Sequence, residues 1–192
     1  FYTALYHTLI HPNIYSDKNG QYQGMSGSGV QTASGYTRYT LYSMWDTYRN
    51  VHTLLALVWP ERQLDMIKSM LSMYQEGGWL PQWELLSTET LWMVGDPASI
   101  VIADSYYRGL TGFDIETAYQ AMKKGATTIN GNSLRQNNMP GYVNYGYIPF
   151  DGPWGGNANS RSSWFRAGQT TRRRSSTRLS TIPSYTRTYT AT

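Results

Sequence analysis

Large apolar residues recur at helical spacing along most of the first 125 positions. Leu5, Tyr6 and Leu9 share one side of a first segment, Phe1 to Ile10, which the proline after His11 must stop. The run Leu54, Leu55, Leu57, Val58 and Trp59 predicts a buried helix. That helix would begin near Thr40 or Ser43 as a cap, carry Met44 to Arg49 on its first turns and end at Trp59-Pro60. Pro60 and Glu61 open the next helix, Leu64, Ile67, Leu71 and Tyr74 form its inner stripe, and Gly77-Gly78 ends it. Asp96 before Pro97 caps a helix reaching Gly109. Asp114 caps another, Ile115 to Lys124, with Lys123 and Lys124 at its negative end and Gly125 closing it. This order predicts a mainly α fold of helical hairpins joined by Gly/Pro loops, either a toroid or a solenoid. The absence of self-similarity at a fixed period favours the toroid.

The interruptions are polar or glycine-rich. Tyr15 to Gly35 reads as loop, with Asp17-Lys18-Asn19-Gly20 as a turn, and Tyr36 to Leu41 as the start of a short strand. Gly78 to Leu85 reads as a short aromatic loop, and the chain turns loop-like again after Asn130.

Composition divides the 192 residues in two. All 12 acidic residues lie at or before Asp151, while seven of the 16 basic residues, all Arg, lie in 161–192. The net charge of +4 therefore joins a slightly acidic body to a strongly basic tail. That tail holds 14 Ser or Thr and no Lys, Asp or Glu, so it cannot bury enough apolar area to offset its ordering entropy, and disorder is expected. We take 1–160 as one partial domain and 161–192 as the tail. Its abrupt composition reads as a frame-shifted translation rather than as a nucleic-acid-binding arm, although the Arg172-Arg173-Arg174 cluster suits one. Cysteine is absent, which excludes disulfides and thiolate metal sites, and no apolar run reaches the length of a membrane span. The chain opens on Phe1-Tyr2-Thr3-Ala4-Leu5 as if inside a helix, so it is expected to be a piece of a longer protein.

The candidate chemistry lies in Met44-Trp45-Asp46-Thr47-Tyr48-Arg49. On a helix Asp46 and Arg49 share a face, and Trp45 stacks over Arg49. A carboxylate accepts two adjacent hydroxyls, a guanidinium donates in a fixed fork, and an indole covers the apolar face of a sugar ring. The alternative is a structural Asp46–Arg49 ion pair with Trp45 as core filler. A second cluster, Trp79, Trp83 and Glu84 around Pro81, offers an aromatic wall beside an acceptor, or else a Trp-plugged turn with Glu84 in solvent. His7 and His11 are four apart but lack the glutamate of a zinc-protease helix, so no metal ligand is assigned.

Eight runs, in order, resemble glycoside hydrolase family 92, the exo-acting α-mannosidases. Among them are Phe1-Tyr2-Thr3-Ala4-Leu5-Tyr6-His7, Trp45-Asp46-Thr47-Tyr48-Arg49, Gly77-Gly78-Trp79-Leu80-Pro81-Gln82-Trp83-Glu84-Leu85, Val94-Gly95-Asp96-Pro97-Ala98 and Gly146-Tyr147-Ile148-Pro149. The resemblance implies the first part of an (α/α)6 barrel that removes terminal mannose with inversion, requires Ca2+ and works outside the cytoplasm, in the periplasm or after secretion. It places Trp45, Asp46 and Arg49 on the pocket for the terminal sugar of a mannose-containing glycan, and Trp79, Trp83 and Glu84 at or near its mouth. The family's general acid, base carboxylates and most calcium ligands belong to motifs that this sequence does not contain.

An inverting glycosidase needs an acid and a base on opposite faces of the sugar. Asp96 is accounted for by capping, and a neighbouring Arg49 would make Asp46 a poor acid. Glu84 and Glu89 remain without support, so we assign no catalytic residue. The chain alone is then expected to be inactive and to fold poorly, with faces such as Leu54, Leu57 and Ile67 left in water. The competing function is a non-catalytic carbohydrate-binding protein.

Overall fold

Proline and glycine set the helix boundaries much as expected. The computed structural model describes residues 1–93, 95–129 and 139–147, so the expected tail at 161–192 lies outside the described residues. α1 (Tyr2–Thr8) stops before His11-Pro12, and none of its residues is buried. α4 (Pro60–Gly77) begins on its proline and ends where Gly78 takes the left-handed conformation at φ 82° and donates to the Tyr74 carbonyl. α5 (Pro97–Tyr107) is capped by Asp96, whose carboxylate accepts from the Ser99 N–H and hydroxyl. Asp114 caps α6 (Ile115–Thr127) in the same way through Thr117.

Two helices depart from expectation. The segment from Met44 to Trp59 is two helices, α2 (Met44–Thr47) and α3 (Val51–Val58), because Asn50 leaves the helical region at φ −137° and starts α3 afresh. Gly125 does not close α6; it is buried inside the helix. Ala118, Ala121 and Gly125 make a small-residue face, and α6 packs on α4.

The remaining corrections are short strands where loops were expected. β2 (Gln21–Gln23) and β3 (Val30–Thr32) pair antiparallel beyond the Asp17–Gly20 turn. β1 (Asn13–Ile14) pairs with β4 (Tyr39–Thr40), the strand expected near Tyr36. β5 (Tyr42–Ser43), β6 (Trp83–Leu85) and β7 (Thr88–Glu89) form a three-stranded sheet out of the Trp83 region. The expected loop after Asn130 contains α7 (Met139–Tyr145).

The core centres on α4, which packs against α3, α5, α6 and β4. Met66, Ile67, Met70, Leu71 and Met73 are buried there with Tyr42, Met44, Val101 and Ile102. Each such side chain contributes about 1.5–3 kcal/mol by leaving water. Of the expected inner stripe, Ile67 and Leu71 are buried, Ile67 wholly and not left in water, while Leu64 and Tyr74 are only partly buried against this core. Arg38 sits deep in the fold: it is 0 % exposed, lies 4.7 Å over the Tyr22 ring and pairs with Glu76 at 3.8 Å. Glu76 also accepts from the Tyr22 hydroxyl and the Met25 N–H, so that carboxylate ties the β2 hairpin to α4.

Candidate functional site

Four residues are too few to hold a helix by propensity, so α2 depends on what its buried side anchors. Met44 is wholly buried, and its N–H donates to the Gln82 carbonyl of the segment before β6. Thr47 is buried one turn on. With these two residues inward, Asp46 and Arg49 face solvent and Trp45 is half-buried. The Ser43 hydroxyl donates to Asp46 Oδ2 at 2.5 Å. The Arg49 guanidinium lies 4.7 Å from the Trp45 ring centroid and 5.1 Å from that of Tyr48. Among the described residues no ion pair joins Asp46 to Arg49. The alternative of a structural Asp46–Arg49 ion pair is therefore not what the structure shows: both charges point outward, an acceptor and a donor three residues apart beside an aromatic surface.

Strand register adds Trp83 to this surface. Ser43 on β5 stands opposite Trp83 on β6, which sets the half-buried indole beside the residue that holds Asp46. The Trp83 N–H donates to the Glu89 carboxylate, fixing the strand from the other side. Trp79 is half-buried elsewhere, with the Lys124 ammonium over its ring at 4.7 Å and over Tyr74 at 5.7 Å, so the cation occupies a face that would otherwise stack a ligand.

Glu84, expected at a pocket mouth, is 0 % exposed. Its carboxylate accepts from the Thr40 hydroxyl at 2.8 Å, the Leu41 N–H at 3.0 Å and the Ser87 N–H at 2.5 Å. Desolvation raises its pKa, opposed by these hydrogen bonds. Glu89 likewise accepts from the backbone N–H groups of Gln82, Trp83 and Leu91. Both carboxylates serve the β6–β7 hairpin, so neither is offered to a substrate as acid or base.

Residues that support the site carry little sequence signal. His52 is 3 % exposed and sits in an apolar run, with no second histidine or carboxylate at ligand spacing. Burial holds its imidazole down at about 4, against the Gln63 hydrogen bond that favours the charged form. Among the described residues no three His, Cys, Asp or Glu side chains come together to hold a metal ion. No step is therefore routed through a metal ion held by these residues.

The profile of the glycosyl hydrolase family 92 catalytic domain matches residues 1–171, past the composition change at 160. The chain belongs to glycoside hydrolase family 92. A family GH92 α-mannosidase from Bacteroides thetaiotaomicron, solved with mannoimidazole, is 40 % identical with a TM-score of 0.71, over 79 % of this chain and 19 % of that one. A family GH92 inverting mannosidase from B. thetaiotaomicron VPI-5482 is 28 % identical with a TM-score of 0.68, over 79 % of this chain and 21 % of that one. Among curated proteins none matches. The chain thus spans about a fifth of the length of these solved relatives, and its helices are part of the (α/α)6 barrel of the family.

Proposed function

We propose that this chain supplies sugar-binding groups to an enzyme that removes terminal α-linked mannose from glycans. The observation that carries this reading is the turn of α2 and its exit, where Asp46 and Arg49 are exposed and Arg49 stacks on Trp45, in a family 92 chain. Asp46 would accept hydrogen bonds from two sugar hydroxyls, Arg49 would donate, and Trp45 with Trp83 would cover the apolar face of the ring. Inversion, a requirement for Ca2+, action on α-1,2-linked mannose of N-glycans and a periplasmic or secreted setting are further parts of the proposal. They rest on resemblance to the family and on the B. thetaiotaomicron relative that is called an inverting mannosidase.

A second reading applies to the chain by itself: sugar binding without hydrolysis. It is favoured by Glu84 and Glu89, whose carboxylates are both taken up by the hairpin backbone.

The test is Asp46→Ala in the longest natural form of the protein, with an aryl α-mannoside as substrate. Loss of a charged hydrogen bond that strengthens in the transition state should lower kcat/KM by about 1.5–3 kcal/mol, roughly ten- to a hundredfold. Near-normal turnover would remove Asp46 from the pocket. Binding of methyl α-mannoside by the 192-residue chain, without hydrolysis of the aryl glycoside, would support the second reading.

A further inference from the structure

Thr47, His52, Gln63 and Ser105 form a continuous buried chain of hydrogen bonds across four helices, from α2 through α3 and α4 to α5. The Thr47 hydroxyl lies 3.0 Å from His52 Nε2, His52 Nδ1 lies 3.0 Å from Gln63 Oε1, and Gln63 Nε2 donates to Ser105 Oγ at 3.0 Å. Their exposures are 7 %, 3 %, 0 % and 1 %.

With the Gln63 amide oxygen toward His52 and its nitrogen toward Ser105, one direction of protons satisfies this chain. The Gln63 amide oxygen can only accept, so His52 carries its proton on Nδ1. His52 Nε2 is then a bare acceptor, and the Thr47 hydroxyl donates to it. The Gln63 amide nitrogen, with its own oxygen taken, hands the chain on to Ser105. A protonated ring would aim a second N–H at Thr47, and it would place a charge in a buried site beside a hydroxyl and an amide.

We propose that His52 is a positioning residue for the sugar-binding turn, acting through Thr47 to fix the orientation in which α2 presents Trp45, Asp46 and Arg49. The proposal rests on the function proposed above. α2 leaves its turn through Tyr48 and Asn50 rather than continuing as helix, so backbone helix does not carry it into α3 and the side-chain bond from Thr47 to His52 does that instead. On the buried side its anchors include the Met44 side chain and N–H at one end and the Thr47 hydroxyl at the other. Removing the second anchor frees the turn to pivot about the first, while every group meant to touch sugar keeps its own chemistry.

The experiment uses the longest natural form, methyl α-mannoside as the binding probe and an aryl α-mannoside as substrate. Thr47→Val removes the hydroxyl and keeps the shape. His52→Asn places an amide near Nδ1, keeping the Gln63 contact and losing the Thr47 contact; His52→Gln reaches the Nε2 position and can still accept from Thr47. Thr47→Val and His52→Asn are each expected to weaken probe binding and kcat/KM by about tenfold, the scale on which small misplacements act. Their double variant should lose no more than either alone, and His52→Gln should retain most of the binding. Binding unchanged in Thr47→Val and His52→Asn, with only the melting temperature lowered, overturns the proposal. So does a loss in His52→Gln as large as in His52→Asn. Asp46→Ala separates the two failures. If it abolishes binding while Thr47→Val does not matter, only the positioning role falls. If Asp46→Ala binds normally, the sugar-site reading falls and takes this proposal with it.

Discussion

Ser43 and Trp83 face each other across the β5–β6 pairing, and the same Ser43 donates to Asp46 at the start of α2. One residue therefore links a strand-borne indole to a helix-borne carboxylate. Ser43→Ala removes that donor from an exposed pair and leaves the backbone register untouched. A hydrogen bond to a carboxylate is worth about 1.5–3 kcal/mol when buried, and less in an exposed pair such as this one. Affinity for methyl α-mannoside is expected to change a few-fold at most, well short of the Asp46→Ala effect. Calorimetric titration of both variants checks the ranking, and an equal or larger loss in Ser43→Ala would mean that Ser43 itself touches the sugar.

Lys124 caps the ring of Trp79, which argues that Trp79 is a packing residue. Lys124→Met keeps the stem and removes the cation. Stability should fall by about 0.5–1 kcal/mol from the lost cation–π contact, with mannoside binding unchanged. Tighter binding in the variant, read together with a change in tryptophan fluorescence on sugar addition, would return Trp79 to the site.

What could be read in the sequence was local. Pro60, Gly78, Asp96 and Asp114 act through neighbours within four residues, and each sets the boundary expected of it. Trp45 and Arg49 stack as their spacing implies. Apart from the break at Asn50 and the β2–β3 hairpin, which are local, the errors needed partners far along the chain. Glu84 is buried because Thr40 and Leu41, more than 40 positions earlier, bring donors to it. Gly125 stays helical because α4 lies against its face. His52 reaches Ser105 only through Gln63 on another helix. Each of these depends on tertiary packing, which no local pattern encodes.

His52 gives the protein a stability slope in mild acid. The unfolded imidazole takes up its proton as pH falls through about 6.5, whereas the buried ring resists protonation until about 4. Between those values the unfolded state binds more protons, so stability rises with pH across the window and levels off above it. The contribution is about 3 kcal/mol from end to end. His52→Gln removes the titrating group. The difference in unfolding free energy between parent and variant should therefore move in the parent's favour as pH goes from 4 to 6.5. Denaturant titrations at several pH values measure it, and a difference that does not vary with pH would show that the ring titrates normally.

Exposed apolar residues should govern the solution behaviour of the 192-residue chain. Leu57 is 76 % exposed, Trp92 82 % and Phe1 92 %, and Leu86 and Tyr2 are exposed as well. Such side chains gain about 25 cal/mol for each Å² they remove from water by association. The purified chain is expected to self-associate and to lack a sharp thermal transition at low concentration. A monomer by sedimentation velocity, with one cooperative melting step, would contradict this.

Glu84 gives the last prediction, because its carboxylate supports a hairpin turn that its own residues do not favour. Leu86 and Ser87 sit at φ 47° and 64°, a conformation that suits Asn or Gly better than Leu. The turn holds because the Ser87 N–H donates to Glu84 Oε1 and the Leu86 N–H donates to the Thr40 hydroxyl, which itself donates to Glu84. The other carboxylate oxygen takes the Leu41 N–H. A glutamine keeps the shape but has one acceptor oxygen. Whichever way its amide turns, its NH2 group meets a backbone N–H, and an unsatisfied buried donor costs about 1–3 kcal/mol. Desolvation raises the Glu84 pKa, so the folded state holds this proton more tightly than the unfolded chain does. The parent therefore loses stability as pH rises from about 4.5 through the folded pKa, and the glutamine variant does not. Glu84→Gln should be less stable than the parent near pH 4.5, by a margin that narrows toward pH 7.5. Denaturant titrations at the two pH values decide the matter: a margin that widens with pH would mean that the backbone donors outweigh desolvation and hold Glu84 as the anion.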